Sequence, residues 1–225
     1  MTALIIFLIL TVLLLTGMPV SIALGLTVFT FLFGFTDIPM DSIALKLFTG
    51  IEKFEIMAIP FFILAGNFLT HGGVARRMIR FATSMVGHWY GGMGMAAVMA
   101  CALFAAISGS SPATVMAVGS ILIPAMVKQG YPPQFGVGSI ATAGGLGILI
   151  PPSIVMVMYS VATSGMVVTG PDGQPVLSAS IGTLFMAGVV PGLMLATMLG
   201  ATTYWRAKKN NYPRMARADW RERWL

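Results

Sequence analysis

Two uncharged interruptions in apolar sequence carry the chemistry that this chain can offer. The first is Ser-Gly-Ser-Ser-Pro at residues 108–112, and the second runs from Gly-Gly-Leu-Gly at 144–147 to the proline pair at 151–152. Each would end one helix and begin another, which leaves unpaired carbonyls on one side and unpaired N–H groups on the other. Carbonyls suit a dehydrated cation, and N–H groups suit a carboxylate. Three hydroxyls are predicted to add cation ligands: those of Ser108, Ser110 and Thr142. With no carboxylate ligand, such a site favours Na⁺ over Ca²⁺ or Mg²⁺.

Both interruptions also have a purely structural interpretation. Glycine and serine in membrane helices commonly allow close helix packing, and a proline pair commonly kinks a helix. Two such interruptions so close together, both without charge, favour a binding site. Ser111 before Pro112 is predicted to cap the helix that follows the first interruption. Asn67, in an earlier apolar segment, is predicted to hydrogen-bond across helices, with a place on a substrate path as the alternative.

The composition places these residues in a membrane. Of 225 residues, 57% are hydrophobic and only 9% are charged, whereas a soluble domain carries about 25% charged residues. Between Arg80 and Arg206 the only charged residues are Lys128 and Asp172. A surface so poor in charge would not stay dissolved, which excludes a secreted domain, a disordered tail and a nucleic-acid-binding protein. The single Cys101 excludes a disulfide framework and a cysteine metal site.

The apolar runs predict an all-α polytopic membrane protein. The first run lacks a basic lead-in and a cleavage site, so it is predicted to be a retained span and not a signal peptide. Two amphipathic segments are predicted to lie at the membrane surface, one at residues 37–55 and one at 74–86. The predicted spans are residues 3–15, 19–35, 56–70 and 181–204.

The interruptions divide helices that are too short to cross a bilayer by themselves. Residues 91–107 and 113–127 would each reach about 23–26 Å, and the hydrocarbon core is about 30 Å thick. Two spans joined by a wet loop would usually recruit a charge to that loop, so a re-entrant helical hairpin is predicted instead. Residues 134–143 and 151–164 are likewise predicted to be the halves of one discontinuous transmembrane helix.

Charges at the segment ends predict the orientation. The aromatic and then basic sequence at 204–209 is typical of an inside-facing helix end, and the arginines of 76–80 and Lys128 are predicted to face the same side. The turn at 170–175 is then outside. The tail at 214–225 is predicted to lie as an amphipathic helix in the inner interface.

The sequence offers no arrangement for catalysis. The spans hold no carboxylate pair, no His–Glu metal spacing and no Gly-rich phosphate loop with its lysine, so an enzyme, an organic cofactor and a transition metal are not expected. Discontinuous helices are a recurrent binding-site device of secondary transporters, which favours transport. Two rival hypotheses are a truncated, non-transporting scaffold or assembly fragment, in which the interruptions only allow tight packing, and a passive pore.

Three motifs, in this order and spacing, resemble the large membrane subunit of the tripartite ATP-independent periplasmic (TRAP) transporters. They are Ala-Ile-Pro-Phe-Phe-Ile-Leu-Ala-Gly-Asn at residues 58–67, Ser-Gly-Ser-Ser-Pro-Ala at 108–113 and Gly-Leu-Gly-Ile-Leu-Ile-Pro-Pro-Ser at 145–153. They stand within two longer similar stretches, residues 50–126 and 130–160. The resemblance runs from about residue 3 to the end of the chain.

The resemblance implies half of an ion-transporter-superfamily fold and a Na⁺-coupled importer of organic acids, commonly C4-dicarboxylates or sialic acid, in the bacterial inner membrane. It implies two partners, a small four-helix membrane subunit and a periplasmic substrate-binding protein. It also implies an elevator mechanism, in which a transport domain carries the site past a fixed scaffold. Large subunits of this family contain two inverted repeats and this sequence contains only the first. The resemblance therefore implies either a truncated or split product, or a separate partner chain that carries the second repeat.

The resemblance also assigns regions and site residues. Residues 1–73 would be scaffold helices with a surface helix, 74–90 an arm helix, 91–165 the transport-domain hairpin and broken helix, 166–179 an aqueous loop, 180–207 a transmembrane helix, and 208–225 an amphipathic tail. The implied Na⁺ residues are Ser108, Gly109, Ser110, Ser111, Gly144, Gly145 and Gly147. The implied substrate-binding residues are Ser110, Ser111, Pro112, Thr142, Pro151, Pro152, Ser153 and Asn67.

Overall fold

The described part of the chain is almost entirely helical. The structure, a computed structural model, describes residues 2–36, 38–164, 167–169, 175–177 and 180–215. Within these residues there are eleven α-helices, one 3-10 turn and one short two-stranded ribbon. The prediction of an all-α polytopic membrane protein is confirmed, with the ribbon as the one addition. The chain divides into two compact units, Met1–Lys53 and Phe54–Leu225.

The first unit contains three helices: α1 (Thr2–Leu15), α2 (Val20–Phe35) and α3 (Met40–Ile51). The turn between α1 and α2 includes Gly17, whose φ of 79° lies in the left-handed region that favours glycine. No residue of α1 is buried, so its apolar side chains face outward, as expected of a helix surrounded by hydrocarbon. The surface helix predicted at 37–55 is shorter than expected, since α3 ends at Ile51; Asp37 lies outside the described residues.

The second unit contains the remaining elements. In chain order they are the 3-10 turn Phe54–Met57, α4 (Ala58–His71), α5 (Val74–Val86), α6 (Gly92–Ser108), α7 (Ser111–Lys128), α8 (Pro133–Gly144), α9 (Leu146–Leu149), α10 (Ile154–Thr163), β1 (Val167–Thr169), β2 (Pro175–Leu177) and α11 (Ile181–Lys209). The two strands pair antiparallel, with Val168 opposite Val176.

Helix α6 lies at the centre of the second unit. It contacts α4, α5, α7, α8, α9 and α11. Its small side chains make this possible, because Ala96, Ala97 and Ala100 are fully buried and let neighbouring backbones approach closely. A Cβ added at Gly94 would lie 2.8 Å from Cγ2 of Thr203 in α11. The hairpin of α6 and α7 is therefore packed on both sides by other helices.

Length and composition identify the helices that can cross a membrane. Among the described residues, Phe54–His71, Ser111–Lys128 and Ile181–Lys209 each qualify alone. The pair Pro133–Leu149 and Ile154–Thr163 qualifies as one span with a 41° bend at its break. This supports the predicted discontinuous helix. Re-entrance of the α6–α7 hairpin is defined relative to the bilayer and stays a prediction.

The position predicted for the break in the discontinuous helix was partly wrong. Gly144 closes α8 and Gly145 keeps right-handed helical angles, φ −59° and ψ −19°, so the chain continues into the helical turn α9. The bend lies later, at residues 150–153. Ile150 is extended, with ψ of 122°, because a residue before proline avoids the helical region. Gly144 and Gly145 therefore do not interrupt the helical path, and the helix ends just before the proline pair at 151–152.

The ends of the second unit bear on two further predictions. Residues 170–174 of the predicted outer turn, with Asp172, and the tail from residue 216 onward lie outside the described residues. Helix α11 continues to Lys209, and residues 210–215 are not helical; they fold back on the unit. The compact boundary falls between Lys53 and Phe54, so α4 lies in the same unit as the hairpin. The division into scaffold and transport domain stays a prediction.

Candidate functional site

The hairpin turns at Gly109, which ends α6. Its φ of 60° is left-handed, and its N–H donates to the Ala105 carbonyl at 3.0 Å, as in a helix C-cap. A Cβ added at Gly109 would lie 2.6 Å from the Pro152 carbonyl oxygen. Glycine is therefore required here twice, by the backbone angle and by the approach of the second interruption.

Ser110 caps the helix that follows. Its backbone is extended, and its Oγ accepts from the Ala113 N–H at 3.5 Å. The prediction that Ser111 is the cap was wrong by one residue, because Ser111 is already the first helical residue and Pro112 the second. The physical reason is the tightness of the turn: only Gly109 and Ser110 separate the two helices.

A buried hydroxyl network holds the tip together. Ser108 is 1% exposed and Thr114 is fully buried, and their hydroxyl oxygens lie 3.2 Å apart. The Thr114 hydroxyl also donates to the Ser110 carbonyl at 2.8 Å, beside the Thr114 N–H at 3.0 Å. Thr114 was missed from the sequence, although its spacing of four residues from the capping serine could have revealed it.

The two interruptions are in direct contact. The Ile154 N–H donates to the Gly109 carbonyl at 3.1 Å, which joins the start of α10 to the hairpin tip. A Cβ added at Gly147 would lie 2.9 Å from the Ser111 nitrogen. The fully buried Ser153 caps α10, since its Oγ accepts from the Met156 N–H at 3.4 Å. Four helix ends thus meet here: the C-terminal ends of α6 and α9 and the N-terminal ends of α7 and α10.

Some predicted residues lie at the edge of this contact. A Cβ at Gly144 would lie 3.6 Å from the Ser111 carbonyl oxygen, so Gly144 is close to the tip, and Gly145 is half-buried beside it. Pro151 and Pro152 form the break itself, with a cis peptide bond between them. Thr142 is exposed, and its hydroxyl donates to the Gly138 carbonyl of its own helix at 2.7 Å.

Asn67 does not make the predicted hydrogen bond. Among the described residues its exposed side chain has no hydrogen-bond partner, so the expected bond across helices is wrong. The preceding residue makes the contact instead. A Cβ at Gly66 would lie 3.3 Å from the Ser108 Cβ, which places α4 directly against the tip. A place for Asn67 on a substrate path stays a prediction.

Contacts with α11 show where the second interruption lies along the length of that helix. A Cβ at Gly188 would lie 2.6 Å from the Leu149 carbonyl oxygen, and one at Gly192 would lie 3.0 Å from Cγ1 of Ile150. These glycines precede Tyr204 by 16 and 12 residues, about 24 and 18 Å along the helix. The second interruption therefore lies well inside the apolar length of α11. The Gly-x-x-x-Gly spacing of residues 188–192 was missed in the sequence, although it could have revealed this contact.

The site offers neutral oxygens and helix dipoles. Within the described residues there is no group of three or more His, Cys, Asp and Glu side chains that could hold a metal. Hydroxyls and the C-terminal helix ends carry partial negative charge, which suits a weakly hydrated monovalent cation, and the N-terminal ends of α7 and α10 suit an anion. The chemistry available is therefore binding of a cation and an anion side by side.

A family model and individual related proteins all match this chain to the same family of transporters. The profile of the tripartite ATP-independent periplasmic transporter, DctM component, matches residues 7–225. The chain is 75% identical over 224 residues to the C4-dicarboxylate TRAP transporter large permease protein DctM of Rhodobacter capsulatus, covering 100% of this chain and 51% of that protein. It is 45% identical to the DctM of Vibrio cholerae, covering 99% of this chain and 46% of that protein.

A relative with another substrate in its name is also similar. The ectoine/5-hydroxyectoine TRAP transporter large permease protein UehC of Ruegeria pomeroyi is 39% identical over 220 residues, covering 97% of this chain and 48% of that protein. In each comparison the chain spans about half the length of the curated relative it matches.

Proposed function

Because this chain belongs to the DctM-component family of tripartite ATP-independent periplasmic transporters, we propose that it is the first half of a Na⁺-coupled importer of organic acids. The family consists of membrane permeases and not of enzymes, as the names of the relatives state. Na⁺ coupling, the class of substrate and the elevator mechanism are parts of the proposal.

The observation that carries the proposal is the contact between the hairpin tip and the proline break. The Gly109 carbonyl, the Ile154 N–H and the close approach of Gly147 to Ser111 bring four helix ends to one point inside the apolar length of α11. Backbone interrupted at that depth is tolerated only where protein or a water-filled cavity receives its polar groups.

In this proposal Na⁺ lies between the tip and residues 144–147. The Ser110 carbonyl already accepts two hydrogen bonds from Thr114. We therefore assign the ion chiefly to oxygens of Ser108 and Ser111 and to carbonyls of the facing segment. The substrate carboxylate lies at the N-terminal ends of α7 and α10, where Ser110 and Ser153 stand as caps.

The substrate and the partners follow from the family. Three relatives are named for C4-dicarboxylates, and one of them is 75% identical to this chain, so we propose a C4-dicarboxylate as the substrate. The proposed partners are a periplasmic substrate-binding protein and a small membrane subunit. Since the chain spans about half of its relatives, we propose that a second-repeat segment completes the cavity, in the bacterial inner membrane.

Na⁺-dependent protection of the tip tests this function. In a Cys101→Ser background, Ser110→Cys is reacted with a small thiol reagent in Na⁺ and in K⁺ buffers. With Na⁺ about tenfold above its dissociation constant, labelling should slow by about tenfold. Ser120→Cys, on the exposed face of the same helix, is the matched control and should react equally in both buffers.

Gly145→Cys provides a second reporter on the facing segment, in case Ser110→Cys disturbs the cap. Its labelling should slow with Na⁺ as that of Ser110→Cys does. Equal labelling rates in Na⁺ and K⁺ at both positions would contradict the Na⁺ site. A leak of small solutes through reconstituted vesicles that does not saturate would instead favour the passive pore.

A further inference from the structure

A pocket of about 320 Å³ lies at the opposite end of α6 from the hairpin tip. Three lining residues come from the connection between α5 and α6: His88, Trp89 and Tyr90. The other two are Tyr204 from α11 and Arg214 from the segment after α11. Helix α6 has 17 residues, so about 25 Å separates this pocket from the tip. The proposed transport site does not use these residues.

Aromatic rings fix a positive charge in this pocket. Tyr204 meets Trp89 and Tyr90 edge-on, with ring centroids 6.2 and 6.1 Å apart. The Arg214 guanidinium carbon lies 3.1 Å from the centroid of the Tyr90 ring. A guanidinium stacked on a ring keeps its N–H edge available for an anion. Among the described residues no acidic side chain lines the pocket, so the charge of this part of the lining favours a negatively charged ligand.

His88 supplies a second polar group without a partner. Trp89 Nε1 donates to His88 Nε2 at 2.9 Å. Since the indole can only donate, Nε2 carries no hydrogen and the neutral imidazole holds its proton on Nδ1. Nδ1 is buried, and within the described part of the chain it is the one buried side-chain polar atom without a hydrogen-bond partner. A buried donor left unpaired is costly, and a small movement of the His88 ring when a ligand binds would bring Nδ1 to an acceptor in the pocket.

We infer that this pocket binds the phosphate of an anionic phospholipid headgroup, with Arg214 and His88 as its donors. Phosphate oxygens are acceptors that suit both a guanidinium edge and an imidazole N–H. The lipid is favoured over a soluble phosphate because tryptophan and tyrosine mark the headgroup level of a membrane. Arg206, Lys208 and Lys209 follow Tyr204 directly, and such basic clusters attract anionic lipids.

Native mass spectrometry of the purified chain tests the site. Phosphatidylglycerol should bind about tenfold more tightly than phosphatidylcholine, because both carry the phosphate but the choline cation of phosphatidylcholine is repelled by Arg214. Arg214→Gln should weaken phosphatidylglycerol binding about tenfold. Arg76→Gln is the matched control, because Arg76 is exposed in α5, outside the pocket lining and outside the basic cluster that follows Tyr204, and its loss should change binding less than twofold. Equal weakening by both variants would indicate only a diffuse basic surface and would overturn the proposal.

Two substitutions at His88 test whether its N–H donor, and not only the volume of its side chain, is needed for lipid binding. In His88→Asn the amide nitrogen is bonded to Cγ as Nδ1 is, so a donor remains in place, whereas His88→Gln places its amide one bond farther out. His88→Asn should bind nearly as tightly as the unaltered chain, and His88→Gln should lose about tenfold. Unchanged binding in His88→Gln would overturn the assignment, and this pair also serves if Arg214→Gln fails to fold.

Competition with a water-soluble phosphate compound distinguishes a lipid site from a site for soluble phosphate. Glycerophosphate should fail to displace phosphatidylglycerol, because it lacks the acyl chains of a lipid. Displacement at equal concentration would show a soluble phosphate site and would overturn the lipid proposal. Na⁺-dependent labelling at the tip is measured on the same variants and should be unchanged, so failure of the lipid site and failure of the transport site remain separate results.

Discussion

At the scale of single residues, the site depends on glycines that allow backbones to touch. Gly109 meets the Pro152 carbonyl, Gly147 meets the Ser111 nitrogen, and Gly66 meets the Ser108 Cβ. Each neighbouring atom belongs to the backbone or is a Cβ atom, so it cannot move away by a side-chain rotation. The site therefore depends on the lack of side chains at these glycines, which permits the close approach, as well as on the hydroxyl groups that line it.

Gly147→Ala should destabilise the protein more than Gly138→Ala, a glycine substitution in the neighbouring helix α8. Its Cβ would lie 2.9 Å from the Ser111 nitrogen and 3.0 Å from the Ser110 carbonyl carbon, so the tip must shift. Such overpacking costs about 1–3 kcal/mol of the free energy of unfolding. Gly138→Ala, in α8 with nothing within 4 Å, is the control and should be neutral or slightly stabilising. Denaturant titration in detergent measures both, and equal losses would refute the contact.

At the scale of elements, the segment after α11 connects parts of the second unit that lie far apart in sequence. The Tyr131 hydroxyl, between α7 and α8, donates to the Pro213 carbonyl at 2.6 Å, and Tyr212 packs edge-on against Phe135 with centroids 4.8 Å apart. The Met215 N–H donates to the Gly87 carbonyl at 3.2 Å. Residues 210–215 thereby tie the base of the hairpin to the end of α5.

Tyr131→Phe should loosen this segment. Burial raises the pKa of the Tyr131 hydroxyl, so it is a protonated donor at neutral pH, and its bond is lost only as the pH rises above the usual tyrosine range. Removing the hydroxyl should cost about 1 kcal/mol and speed amide hydrogen exchange at 210–215 roughly fivefold. Tyr159→Phe, on an exposed face of α10, should leave that exchange unchanged. Unchanged exchange in Tyr131→Phe would mean that ring packing alone holds the segment.

At the scale of the whole molecule, the charge pattern and the packing of the second unit agree. Gly87, Tyr131 and residues 210–215 come together at one end of this unit. The sequence independently predicts that the arginines of 76–80, Lys128 and Arg206 face the inside. Lys128 precedes Tyr131 by three residues and Arg206 precedes Asn210 by four, so these two predicted inner charges lie near that end of the unit.

This orientation predicts a labelling pattern. In a Cys101→Ser background, Arg76→Cys and Lys128→Cys should resist a membrane-impermeant maleimide added to right-side-out vesicles, and Asp172→Cys should react. The native Cys101 is fully buried, so its replacement removes background without exposing a surface. Permeabilised vesicles are the control, and there all three should react. Reaction of Lys128→Cys in sealed vesicles would reverse the assignment.

The extents of several helices could be predicted because local sequence specifies them. The amphipathic helix predicted at 74–86 is α5 without change, since its arginines and apolar residues alternate with helical period. The arms of the hairpin were placed within two residues, because Ser-Gly-Ser-Ser-Pro cannot continue a helix. The break at 144–147 was misplaced because glycine permits both a helix and its interruption, and only packing selects between them.

By itself the sequence determined that this is an all-α membrane protein with two uncharged interruptions, because hydropathy, proline and charge act through the chain's own covalent order. Only the tertiary structure decided that the interruptions touch and that Ser110 and Ser153 are the caps. It also placed Gly66 and Thr114 against the hairpin tip and Gly188 against the second interruption. It also brought Arg214 to His88 and Tyr90. These contacts join residues far apart in the sequence, and local residue patterns do not encode which backbones will approach.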